Sequence, residues 1–198
     1  MELFNCYKVK GSELIEESFT IEDDNIFINV GAQNYQKVFK KLAFLIPEPC
    51  FFILEVPCDE LKEQELRKTN HDPFHKDIYY LDGVSHQIME SFIDDLGYIL
   101  FEDGLSNFGF SSHNDQIEIM KLKYNLISIY AKNKKPFVDV LKSLGIKEVE
   151  QIVTVSDIIN KHNPGYAQRY EGKGNQNIND VVKMLKEIGL YLDHVEAI

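Results

Sequence analysis

Asn107-Phe-Gly-Phe-Ser-Ser-His-Asn-Asp-Gln-Ile-Glu-Ile-Met-Lys-Leu122 reads as a β-hairpin, and the fold class follows from it. Phe108 and Phe110 share a face by the period of two, and Ile117 to Leu122 forms a second strand. Between them Ser111 to Gln116 is a polar loop in which Asn114-Asp115 turns the chain. Just upstream, Asp103-Gly104 and Asn107-Phe-Gly109 carry turn chemistry, because glycine adopts positive φ without a clash. Tyr98 to Phe101 is expected to add a short strand ahead of the hairpin. Tyr124 to Tyr130, with Leu126, Ile127 and Ile129, adds another after it.

Outward from this hairpin, strands are expected at Leu3–Val9, Asn25–Val30, Cys50–Val56, Asp77–Leu81 and Glu150–Val155. Asn34 is read as the cap of a helix whose apolar face is Val38, Phe39, Leu42 and Leu45. Asp59–Lys68, with Leu61 and Leu66 as its apolar anchors, reads as a surface helix. A further helix carries Ile88, Met89, Phe92, Ile93 and Leu96 and closes at Gly97, and Lys134–Leu144 is another. Ser156 is expected to cap a single turn. The last helix begins at Asn177 and carries Ile178, Val181, Val182, Leu185, Ile188 and Leu192 as one stripe. Helices and strands mix without βαβα alternation. The expected fold is α+β: a mostly antiparallel sheet with helices packed on it and a C-terminal amphipathic helix. The whole of 1–198 is read as one domain, with a candidate seam at Lys68-Thr-Asn-His-Asp-Pro73 separating an acidic subdomain, 1–70, from an α+β subdomain, 71–198.

The 198 residues carry a net charge of −11 that is unevenly spread. Residues 1–103 hold 9 Lys/Arg against 21 Asp/Glu, whereas residues 104–198 hold 12 against 11. Such a surface opposes nucleic acid and anionic membrane and favours encounter with a basic protein. No apolar run approaches the roughly 20 residues that a membrane span needs. The start of the chain lacks the basic flank and apolar core of a secretory signal, and the three cysteines, Cys6, Cys50 and Cys58, lie in no CxxC. A cytoplasmic protein with reduced thiols and no cofactor is expected.

No motif names a reaction. His113, with Asp115 and the serines before it, has the members of a triad by name, but neighbours on a hairpin tip seldom converge in fixed orientations. His71, His75 and Asp77 form a weak candidate metal set, interrupted by Pro73. Gly172-Lys-Gly174 lacks the Ser/Thr that follows the lysine of a phosphate loop and reads as a flexible loop before the last helix. The basic, tyrosine-containing run from Lys121 to Lys135 has the composition of a stacking platform for single-stranded nucleic acid, which the net charge opposes.

The runs Tyr79-Tyr-Leu-Asp-Gly83, Asp103-Gly-Leu-Ser-Asn-Phe-Gly-Phe110, Lys123-Tyr-Asn125, Val153-Thr154 and Asn163-Pro-Gly165 resemble small bacterial proteins, some of them similar to immunity proteins of polymorphic toxin systems. The resemblance covers about residues 77–193 and implies inhibition by binding, with no catalytic residues to carry over. Two functions are therefore expected from different classes. One is an immunity- or antitoxin-like inhibitor that meets a basic protein through Glu60, Glu63, Asp94 and Asp95, with Tyr79 or Tyr98 as aromatic anchors. The other is a small-molecule-binding or hydrolytic enzyme with a pocket around the 103–116 turns, formed from Asp103, Ser106, Asn107, His113, Asp115, Tyr124 and Asn125.

Overall fold

A computed structural model describes residues 1–198, the side chain of Lys173 excepted. In chain order the elements are β1 (Tyr7–Lys8), β2 (Ser18–Glu22), β3 (Asn25–Asn29), α1 (Ala32–Ala43), β4 (Cys50–Pro57), α2 (Glu60–Leu66) and β5 (His75–Val84). There follow α3 (His86–Asp95), α4 (Gly97–Leu100), β6 (Asn107–Ser112), β7 (Ile117–Lys121), β8 (Leu126–Ala131), α5 (Lys135–Ser143) and β9 (Lys147–Glu148). The chain continues with α6 (Val155–Ile158), β10 (Tyr166–Ala167), α7 (Ile178–Lys186) and β11 (Tyr191–Ala197).

The chain is a mixed α+β protein. Its nine-stranded sheet has the order β11-β5-β4-β6-β7-β8-β3-β2-β9, with β2 parallel to β9 and the other neighbours antiparallel. β1 and β10 form a separate two-stranded sheet. The stretch Lys68–Pro73 is the turn between α2 and β5; strands on its two sides pair, β4 with β5 and β3 with β8.

Side-chain alternation sorts the sheet into two faces. One face, with Phe52, Leu54, Phe108, Phe110, Ile119, Ile127 and Ile129, packs against α1, α3, α4, α5 and α7 in one continuous core. At its centre Phe39 of α1 lies 5.1 Å from Phe108 and 5.5 Å from Phe101 between ring centroids. The other face holds a small cluster made of strand residues alone, Phe51, Ile53, Ile78 and Met120. Gly109 is required beneath that cluster: a Cβ there would lie 2.0 Å from the Ile119 carbonyl oxygen and 2.4 Å from the Met120 sulfur.

Several expected elements differ, each for a visible reason. Tyr98 to Phe101 continues α3 as the helical turn α4 instead of forming a strand, because Gly97 lacks the Cβ that would meet the Phe101 ring at 3.2 Å. Asn34 does not cap α1. The helix starts earlier, behind Gly31, whose N–H donates to Glu17 Oε1 at 2.7 Å, so a carboxylate from a separate segment neutralises the helix N-terminus. Glu150–Val155 is not a strand: Thr20 Oγ1 and Asn29 Nδ2 donate to the Glu150 and Val153 carbonyls, which replaces a ladder by side-chain bonds. Thr154, with Asp157, caps α6 in the place expected of Ser156. The chain does not end in a helix. Gly189, at φ +110°, accompanies bonds from its own N–H to Lys186 and from Leu190 N–H to Leu185, the arrangement that closes a helix behind a left-handed residue. Ile188 and Leu192 thereby leave the apolar stripe and are exposed, and the chain turns into β11 beside β5.

Candidate functional site

β7 places Ile119 and Lys121 on the core face, so the strand's own alternation drives an amine into the interior. Lys121 is fully buried, and its Nζ donates to the Asp103 carbonyl at 2.7 Å and the Ser106 carbonyl at 2.8 Å. Burial pulls this amine down to about 8, partly offset by the charge of Asp103. The Asp103 carboxylate, also fully buried, accepts from Ser106 N–H at 2.8 Å and from Tyr170 N–H at 3.0 Å. Arg169 Nε lies 4.0 Å from the same carboxylate. Asp103 therefore ties the turn after α4 to the segment that follows β10. A second tie runs beside it, Gly104 N–H to Gln168 O at 3.0 Å and Gln168 N–H to Cys6 O at 3.0 Å.

Above this knot lies a groove of about 790 Å³. Cys6 forms part of its lining, Tyr98 and Glu102 stand on one side, and Arg169, Tyr170 and Glu171 on the other. Tyr98 and Glu102 are four residues apart on α4 and its continuation, which sets them one above the other. The Tyr98 and Tyr170 rings meet at 78° with centroids 6.3 Å apart, and the Tyr98 hydroxyl donates to Gln176 at 3.2 Å. Burial raises the Glu102 carboxyl above its ordinary range, and burial pushes the Cys6 thiol up to about 12. A thiol so suppressed is a poor nucleophile, because the thiolate is the reactive form. The groove has the chemistry of a binding surface.

The residues singled out in the 103–116 region do not converge. Asp103 and Ser106 belong to the buried knot. Asn107 donates to Glu55 at 2.8 Å on the opposite face of the sheet. His113 sits on the exposed hairpin tip, stacked on Phe51 at 4.3 Å, while Asp115 accepts from Ser112 at 2.7 Å. The six residues of β6 separate His113 from Ser106 of the knot, about 23 Å of extended chain. Tyr124 and Asn125 both have φ of 60° in the turn before β8. Asn125 is a staple: its Oδ1 accepts from Phe4 N–H at 3.1 Å and its Nδ2 donates to Val30 O at 3.2 Å. Tyr124 packs on Tyr7 with ring centroids 4.9 Å apart.

The proposed metal set is dispersed as well. His71 is exposed in the turn, His75 faces Glu63 at 3.1 Å, and Asp77 is held by Lys62 at 2.6 Å, Tyr79 at 3.1 Å and Cys58 at 3.2 Å. Among the described residues no group of three or more His, Cys, Asp or Glu is placed to hold a metal. Of the four acids expected to face a partner, Glu60, Asp94 and Asp95 are exposed. Glu63 is buried against His75, and Asp94 is paired with Lys40 at 2.8 Å. Tyr79 is buried and offers no anchor, whereas Tyr98 is 48% exposed. Cys6, Arg169 and Tyr170 were not foreseen as site residues, and Lys121, expected at the start of a stacking platform, is fully buried instead; the one visible signal was its phase with Ile117 and Ile119.

No helix among the described residues is long and apolar enough to cross a membrane. No protein-family model, curated protein or solved structure matches the chain.

Proposed function

We propose that this protein acts by binding: it is a cytoplasmic inhibitor of the immunity or antitoxin type that covers a basic protein with its acidic surface. The observation that carries the reading is a set of exposed carboxylates from the first half of the chain, Glu13, Glu16, Glu22, Asp23, Glu60, Glu65, Asp82 and Asp95, that enter no ion pair among the described residues. Charges left unpaired on a surface raise the rate of encounter with an oppositely charged partner and disfavour nucleic acid and anionic lipid. The suppressed Cys6 thiol and the separation of His113 from Asp103 favour docking over hydrolysis.

Affinity capture from the source lysate at low and high salt, with mass spectrometry of the retained proteins, tests the proposal. The expected result is a basic protein held at low salt and released at high salt. Replacing Glu22, Glu60 and Glu65 by Gln and Asp95 by Asn is expected to weaken that retention. Unchanged binding by the neutralised variant refutes the electrostatic mechanism.

A further inference from the structure

The groove over the Asp103 knot has a shape and charge that select one kind of occupant. Its sides are fixed from below, because the fully buried Asp103 holds Tyr170 N–H and the Gly104 amide holds the Gln168 carbonyl. Two aromatic rings meet at its corner, with Tyr98 half-exposed. Glu102 stands one helical turn from Tyr98, partly buried; the Asn5 backbone and the charge of the buried Lys121 act on it, but it enters no ion pair among the described residues. Arg169, the cation on the described lining, has its Nε 4.0 Å from the buried Asp103 carboxylate. Against this one cation the lining sets two carboxylates, Glu102 and Glu171.

A partly buried carboxylate with no cation at ion-pair distance, next to aromatic faces, is the arrangement that stabilises an organic cation, through a charge-assisted hydrogen bond and attraction to the ring quadrupole. We propose that this groove receives a basic side chain, a guanidinium or an ammonium, of the protein partner. Glu102 supplies the counter-charge and the Tyr98–Tyr170 corner the aromatic contact. The inference rests on the basic-partner reading for the identity of the ligand's bearer, and on the groove alone for its chemistry.

The test is an NMR titration of the ¹⁵N-labelled full chain with N-acetyl-arginine amide and N-acetyl-lysine amide, using N-acetyl-glutamate amide as the anionic probe. Amide shifts are expected at Tyr98, Glu102 and Gln168–Glu171 with the cationic probes, and Glu102→Gln is expected to weaken binding about 10-fold. Thermal melting of that variant establishes that it folds. A second variant, Glu150→Gln/Glu187→Gln, changes two exposed acids outside the groove and is expected to bind the probes as wild type does. Shifts elsewhere, equal or tighter binding of the anionic probe, or an unaltered affinity in folded Glu102→Gln overturns the proposal. The two ideas fail separately. Salt-sensitive capture of a basic protein that persists in Glu102→Gln removes the groove and leaves the acidic surface. Specific binding of the arginine probe with no basic protein captured removes the basic-partner reading and leaves a cation site.

Discussion

Lys121→Met isolates the buried amine, and its clearest consequence is a change in how stability depends on pH. Burial lowers the Lys121 amine from 10.5 to about 8 in the folded chain. Between those values the unfolded chain binds more protons than the folded one, so the contribution of Lys121 to stability rises with pH. Below about pH 8 the charged amine is destabilising by about 3 kcal/mol relative to an unperturbed lysine, and this penalty vanishes as pH climbs towards 10.5. Other groups work the opposite way: burial pushes Cys50 up to about 11 and Cys6 up to about 12, so above pH 9 the folded chain keeps protons that the unfolded chain loses. The wild type alone therefore gives a mixed profile. The difference between wild type and Lys121→Met cancels groups that do not sense the lysine, such as Cys50, while Cys6, whose thiol the Lys121 charge pulls down, is compared at pH values below its own titration. Urea denaturation followed by far-ultraviolet circular dichroism at intervals from pH 7.5 to 10.5 is expected to show this difference growing in favour of the wild type by about 3 kcal/mol. The neutral amine still donates to the Asp103 and Ser106 carbonyls, so the gain is the removal of charge and not of the bonds. A difference that stays flat across the window refutes the claim that Lys121 is charged and buried at neutral pH.

Asp103→Asn leaves one acceptor where two N–H groups now find partners, and it is expected to lower stability by about 2–4 kcal/mol in urea titration. Phe39→Ala empties the centre of the aromatic core and is expected to cost about 3–5 kcal/mol by the same measurement. Ile188→Ser is expected to change stability by no more than about 0.5 kcal/mol, because the side chain is exposed beyond the end of α7; a loss of core size would mean that the helix runs on past Gly189.

The α+β character of the chain was legible because it rests on local periodicity. Phe108/Phe110 and Ile117/Ile119 alternate as strands do, and Val181, Val182 and Leu185 recur as a helix requires. Boundaries failed where a distant group intervened. Glu17 displaced the expected cap of α1, and Thr20 and Asn29 took the carbonyls of the segment read as a strand. Gly189 was a local signal that a continuous apolar stripe concealed. The site was much less legible, since the groove is assembled from residues near positions 6, 98–102 and 168–171 and no spacing in the sequence brings these together. Acidity pointed to a class of partner, but which acids are exposed and unpaired depended on contacts such as Glu63 with His75 and Asp94 with Lys40.

The register of the sheet also governs how the chain can be made. β3 is hydrogen-bonded along one side by β8, with Asn25 opposite Tyr130, a separation of 105 residues. On a ribosome adding about 5–20 residues per second, the β2–β3 ribbon is complete for about 5–20 s before its neighbour exists. During that interval Ile26 and Ile28 lack their β8 neighbours Ile129 and Ile127, and the free edge of β3 is a template for other nascent chains. The acids at Glu22, Asp23 and Asp24 stand at the tip of this ribbon, where charge keeps such an intermediate apart from its copies until β8 emerges.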